Sequence, residues 1–203
     1  MGDALADHYL EDALANFRDY KKLAEKALDQ TADEELFLSL DEEANSIAVI
    51  MKHMSGNMVS RWTDFLTTDG EKPDRNRDTE FVVAPGTGRE DLLTVWERGW
   101  NCLFMALEPL TADDFSRKVL IRGEEHSVAE AISRQLTHYA YHIGQIVFLA
   151  KHFRSKEWKS LSIPRNRSGD FNAYLTEKPL EGSKREGRFD APQRFISETK
   201  TKD

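Results

Sequence analysis

The chain has 203 residues, 39% hydrophobic and 32% charged, which is enough for one domain with a substantial core. Its 28 basic and 36 acidic side chains give a net charge of −8, and no basic stripe with interleaved aromatics offsets it, so nucleic acid is not an expected partner. No apolar run approaches the roughly 18–20 residues that span a bilayer. The opening MGDALADHYLEDAL lacks the basic and apolar regions of a signal peptide, and Cys102 is the sole cysteine, so the sequence predicts a cytoplasmic protein with no membrane partner.

Four segments carry helical periodicity. The first runs from about Asp3 to Gln30, with Leu5, Tyr9, Leu14, Phe17, Tyr20, Ala24 and Leu28 near one face. The second follows Asp41 and reaches about Leu66, with the stripe Ile47, Ile50, Met51, Met54, Met58, Trp62 and Phe65. The third opens at Thr87, where Thr87 and Glu90 have capping-box spacing, and carries Leu92, Trp96, Trp100, Leu103, Leu107 and Leu110. The fourth opens at Ser127, with Glu130 three residues on, and carries Val128, Ile132, Leu136, Tyr139, Ile143, Ile146, Leu149 and Phe153. Each segment is about 36–42 Å long at 1.5 Å per residue. The prediction is an all-α four-helix bundle.

The connections also carry information. Residues 67–86 (TTDGEKPDRNRDTEFVVAPG) are long, charged and rich in turn residues, as active-site covers are. Residues 111–126 contain a strand-like KVLIRG. After Phe153 the segment is irregular. The reading is one domain over residues 1–180 and a mobile tail over 181–203.

The chemistry lies in the histidines. His138 and His142 are four apart and flank the stripe positions Tyr139 and Ile143, so both rings can face inward from one helix edge. His53 borders the stripe of the second segment, beside Met54 and three residues after Ile50. Three imidazoles from two helices suit a divalent metal with open positions. The plainer alternative is three packed core histidines. The glutamate of the H-E-x-x-H protease pattern is absent, since Tyr139 stands there. Asn57, Arg61 and Gln145 share edges with these histidines and are candidates to orient them or to meet a substrate. No carboxylate adjoins the histidines in sequence, which mildly favours chemistry on a bound thiol over activation of water. A carboxylate from the 67–86 connection would remove that preference. The aromatic surplus of the third segment (Trp96, Trp100, Phe104) is the one candidate pairing surface for a homodimer.

The stretches IMKHMSGNMVSRWTDFLTTDGEKPDRNRDTEF (50–81), VLIRGEEHSVAEAISRQLTHYAYHIGQIVFLAK (119–151) and WKSLSIPRNRSGDFN (158–172) resemble the DinB-like (YfiT-like) superfamily of metal-binding four-helix bundles, within a bacterial subfamily of unknown function. The resemblance covers about half the chain. It implies zinc or nickel held by His53, His138 and His142, and commonly a homodimer. It further implies transfer of a low-molecular-weight thiol, bound as thiolate, to a small electrophile. Other relatives are assigned hydrolase activity, and a non-enzymatic metal-binding or stress protein is the third reading. One departure is Asn166 in SIPRNRS, where relatives usually have glycine.

Overall fold

The computed structural model describes residues 2–178 and 186–199. Among these the chain is mostly helical, with one two-stranded sheet. It divides into two compact units, Met1–Arg154 and Ser155–Asp203, where the sequence predicted one domain to residue 180.

In the first unit α1 spans Gly2–Leu28, α2 Ile47–Trp62, α3 Arg89–Leu107 and α4 Val128–Arg154. The four predicted helices are all present, and their ends are set by local chemistry. Ser46 caps α2 by accepting from Val49 N at 3.3 Å. That helix stops at Trp62, short of the predicted Leu66, because Thr63 is extended and Asp64 takes a φ of +47°. Phe65 is buried nonetheless. At α3 the predicted cap is displaced by one residue. Gly88 is the N-cap and its N–H donates to Asp91 at 2.9 Å, while the Thr87 hydroxyl donates to Ala84 O. The Ser127–Glu130 box at α4 forms as predicted, with Ser127 N donating to Glu130 at 2.7 Å and Glu130 N to Ser127 at 3.2 Å.

Burial follows the stripes over most of their length, but Leu5 near the start of α1 is 74% exposed, and Leu14, Tyr20, Leu136 and Phe153 are half-buried. Phe17, Met51, Met54, Met58, Trp96, Trp100 and Tyr139 are buried to within 1% of full exclusion from solvent. Trp96 and Trp100 are therefore core and Phe104 is half-buried, which corrects their reading as a pairing surface. α1 packs along α4, and α2 packs against both α3 and α4. The α2–α3 approach is close because Gly99 faces the backbone of Ser55. A Cβ at Gly99 would sit 2.9 Å from Ser55 Cα. Gly99→Val is expected to push the helices apart and lower stability by about 1–3 kcal/mol, the usual cost of overpacking. A thermal melt checks this; an unchanged midpoint would contradict the contact.

The strand-like KVLI becomes β1 (Lys118–Ile121), paired antiparallel with β2 (Glu124–Ser127) from Lys118↔Ser127 to Ile121↔Glu124. Val119 and Ile121 face the core, as the period of two requires. Arg122 and Gly123 turn the hairpin at φ +57° and +76°, so both central residues are left-handed as a two-residue hairpin turn prefers. The long connection is fastened here. Asp69 accepts from Arg122 N at 2.9 Å and from Gly123 N at 2.7 Å, and Gly70 N donates to Leu120 O at 2.8 Å.

The second unit holds α5 (Ser168–Glu177) and α6 (Glu186–Glu198). The latter falls in the stretch read as a mobile tail. Ala191 and Phe195 are buried, and Phe195 packs edge-on against Phe171 with ring centroids 5.4 Å apart. This contact makes an amphipathic helix of a stretch whose composition alone reads as solvated. Asn166 has φ +62°, the conformation for which glycine is the usual choice and asparagine the commonest substitute.

Candidate metal centre

The edge positions of α2 and α4 bring His53, His138 and His142 together. Their ligating atoms all lie within 4.8 Å of one another, and among the described residues they form the one group of three or more metal-ligating side chains that converge in this way. His138 Nε2 lies 3.1 Å from His142 Nε2 and 3.4 Å from His53 Nε2. A tetrahedral ion with bonds of about 2.05 Å to nitrogen places its ligands about 3.3 Å apart. His53 is buried, and the two α4 rings are half-buried.

Each ring is oriented by an oxygen at Nδ1. His142 Nδ1 lies 2.8 Å from Gln145 Oε1, and Gln145 Nε2 donates to the Tyr141 hydroxyl at 3.0 Å, so the amide oxygen is turned to the imidazole. His138 Nδ1 lies 3.3 Å from Gln135 Oε1. His53 Nδ1 lies 2.9 Å from Glu80 Oε2. An oxygen acceptor requires a proton on Nδ1, and in a neutral ring that leaves the lone pair on Nε2. Three Nε2 lone pairs thus point at one another. That arrangement is repulsive by itself and favourable around a cation, so the cluster can hold a metal ion.

The electrostatics agree. Burial, then the neighbouring His142 and His53, depress His138 to about 3. Burial also lowers His142, against the opposing hydrogen bond to Gln145. Both rings are neutral at pH 7, the form that binds metal. Beneath them Tyr139 is fully buried. Its hydroxyl donates to Asn57 Oδ1 at 3.0 Å and accepts from Trp62 Nε1 at 3.2 Å, and burial pushes its pKa well above the ordinary phenol value.

Part of the 67–86 connection does reach the centre. Its 3-10 turn, Arg77–Phe81, packs on α2, and Lys52 Nζ donates to Thr79 O and Val82 O. Phe81 lies over the His53 ring at 5.1 Å between centroids. Glu80 is buried and shares its two oxygens between His53 and Arg75. Burial pushes its carboxyl up, but the hydrogen bonds from His53 and Arg75 outweigh this and hold it below the usual value. Gly56, three residues after His53, leaves the space that Glu80 fills, since a Cβ there would overlap Oε1.

The predicted neighbours divide. Gln145 does orient His142. Asn57 serves Tyr139 and touches no imidazole in the hydrogen-bond pattern. Arg61 is buried and donates through Nη1 to Gly70 O and to Glu71, so it is turned towards the connection. Gln135 is not among the sequence candidates, and Glu80 is one of five carboxylates in the 67–86 connection, with Asp69, Glu71, Asp74 and Asp78. Gln135 had a readable signal, because it stands three before His138 as Gln145 stands three after His142. Glu80 had none stronger than membership of an acidic loop.

A family model described as a protein of unknown function (DUF1572) matches residues 4–167. No curated protein and no solved structure matches the chain.

Proposed function

The chain belongs to the DUF1572 family, and we propose that it is a divalent-metal-dependent enzyme of the DinB-like four-helix-bundle type, transferring a low-molecular-weight thiol to a small electrophile. His53, His138 and His142 would hold zinc or nickel. The observation that carries this reading is the convergence of three Nε2 atoms whose rings are each fixed by an oxygen at Nδ1. Held by three imidazoles, such a cation would supply a Lewis acid with open positions, which favours the deprotonated form of a bound thiol or water.

The residues around it favour the thiol. A metal hydrolase usually places a base on the reacting side of the metal. The carboxylate that arrives, Glu80, lies behind His53 at Nδ1, and both of its oxygens are taken by His53 and Arg75. It orients a ligand; it is not placed to accept a proton from water at Nε2. Gln135 and Gln145 likewise orient their rings and carry no charge to take up a proton.

Cobalt(II)-loaded protein tests this. Titration with cysteine or glutathione is expected to raise a sulfur-to-cobalt charge-transfer band in the near ultraviolet, absent from His138→Ala. Cobalt binding with no such band, together with ester hydrolysis independent of added thiol, would overturn the transferase in favour of the hydrolase.

A further inference from the structure

We propose that Arg75 is a positioning residue for the metal centre: it holds Glu80 in the orientation that keeps the His53 proton on Nδ1 and turns the Nε2 lone pair inward. The inference rests on the metal reading above and extends it to a residue that touches none of the three histidines.

The three imidazoles are not oriented alike. His138 and His142 take their oxygens from glutamines three residues away on the same helix, so α4 itself supplies the alignment. The partner of His53 comes from 27 residues further along the chain, in a 3-10 turn. A carboxylate on such a turn has rotamer freedom that something else must remove. Arg75 removes it with a forked contact, Nε to Glu80 Oε1 at 2.8 Å and Nη2 to Oε2 at 3.0 Å. Two parallel bonds fix the carboxylate plane, which a single donor could not do.

Arg75 is itself held. Its side chain is only 6% exposed, and Nη1 reaches Glu71 Oε2 at 3.3 Å. The same Glu71 oxygen accepts from Arg61 at 3.1 Å and from Arg122, in the hairpin turn, at 3.1 Å. Glu71 also follows Asp69, which clips the hairpin turn. The chain of contacts runs from the hairpin through Glu71, Arg75 and Glu80 to His53. Gly56 keeps the last step open by giving Glu80 its space. Without the fork Glu80 is free to turn away. An imidazole that has lost its Nδ1 acceptor has no fixed tautomer, and a proton on Nε2 would point into the cluster.

The test uses the full chain with Arg75→Met, Arg75→Lys, Glu80→Gln and the Arg75→Met/Glu80→Gln double variant. Two quantities are read: cobalt(II) affinity from the ligand-field absorbance, and the His53 tautomer in metal-free protein from ring-nitrogen NMR. Arg75→Met is expected to weaken cobalt binding roughly 10–100-fold, the usual effect of removing an outer-shell partner, and to move the His53 proton towards Nε2. Arg75→Lys recovers part of the affinity, since lysine keeps the charge and lacks the fork. In the Glu80→Gln background Arg75→Met adds little. Wild-type affinity and tautomer in Arg75→Met would overturn the proposal. So would a penalty of the same size with and without Glu80, which would mark general packing. Should Arg75→Met fail to fold, Arg75→Lys decides, because a purely structural charge would leave its tautomer and affinity at wild-type values. Absence of cobalt binding in the wild type would sink the metal reading instead, and the metal-free tautomers would still decide the role of Arg75.

Discussion

His138→Ala is expected to lose bound zinc or nickel while keeping its helical content. Structural zinc sites contribute on the order of 10–16 kcal/mol through about four ligands, so one imidazole accounts for about 2.5–4 kcal/mol and its loss for a site roughly a hundred- to a thousand-fold weaker. His138 stands in the middle because its Nε2 is near both of the others, at 3.1 Å and 3.4 Å. Alanine is a better helix former than histidine, and the position is half-buried on α4, so the helix does not depend on the ring. Metal per chain by mass spectrometry, beside circular dichroism, checks both halves. Near one ion per chain in wild type and none in the variant, with equal ellipticity, is the expected result. Equal metal in both proteins would show that the imidazoles are packing.

The sequence carried this trio because all three histidines border apolar stripes. A stripe fixes which way a helix edge faces, and His53, His138 and His142 stand beside Met54, Tyr139 and Ile143, which are buried. The same rule overreached along α2. Asn57 and Arg61 continue the edge of His53, but each step of four residues climbs about 6 Å and turns about 40°. Arg61 is thus about 12 Å along the axis from His53, beyond contact with the cluster, and its guanidinium finds Gly70 and Glu71 in the connection. Two helix ends differ from the sequence reading by one to several residues, at Asp64, whose left-handed backbone follows the end of α2, and at Gly88, whose N–H bonds Asp91.

The contribution of residues 67–86 was legible only as a suspicion. Their composition said that something uses them. That Glu80 rather than Asp69, Glu71, Asp74 or Asp78 meets a histidine depends on where the loop is pinned. The pins are Asp69 on the hairpin amides, Lys52 on Thr79 and Val82, and Gly56 leaving room. None of these has a local pattern, because each joins residues far apart in the chain. The charge of Arg75 was visible in the sequence, whereas its burial follows from the pins. The helix α6 was missed for a similar reason, since its seat is formed by Phe171 in another helix.

Metal-free protein is expected to lose stability as pH falls from about 6.5 towards 3. His138 is depressed to about 3 and His142 is also lowered, both chiefly by burial. In this window the unfolded chain takes up protons at these positions and the folded chain does not, so protonation favours unfolding. Each such proton tilts stability by at most about 1.4 kcal/mol per pH unit, and by less here because the rings are half-buried and partly screened by solvent. The lowered carboxylates Glu71 and Glu80 act in the same direction, but only once pH falls below their ordinary value of 4.5. Between pH 6.5 and 4.5 the slope therefore belongs to histidine. Urea midpoints measured in that interval on metal-free wild type and His138→Ala separate the contributions. The variant removes one depressed ring, so its stability should vary less with pH, and parallel curves would refute the depression of His138. The same depression changes what acid does to the loaded centre. An ordinary imidazole begins to exchange its metal for a proton below about 6.5. His138 enters that competition only at a lower pH, chiefly because it is buried.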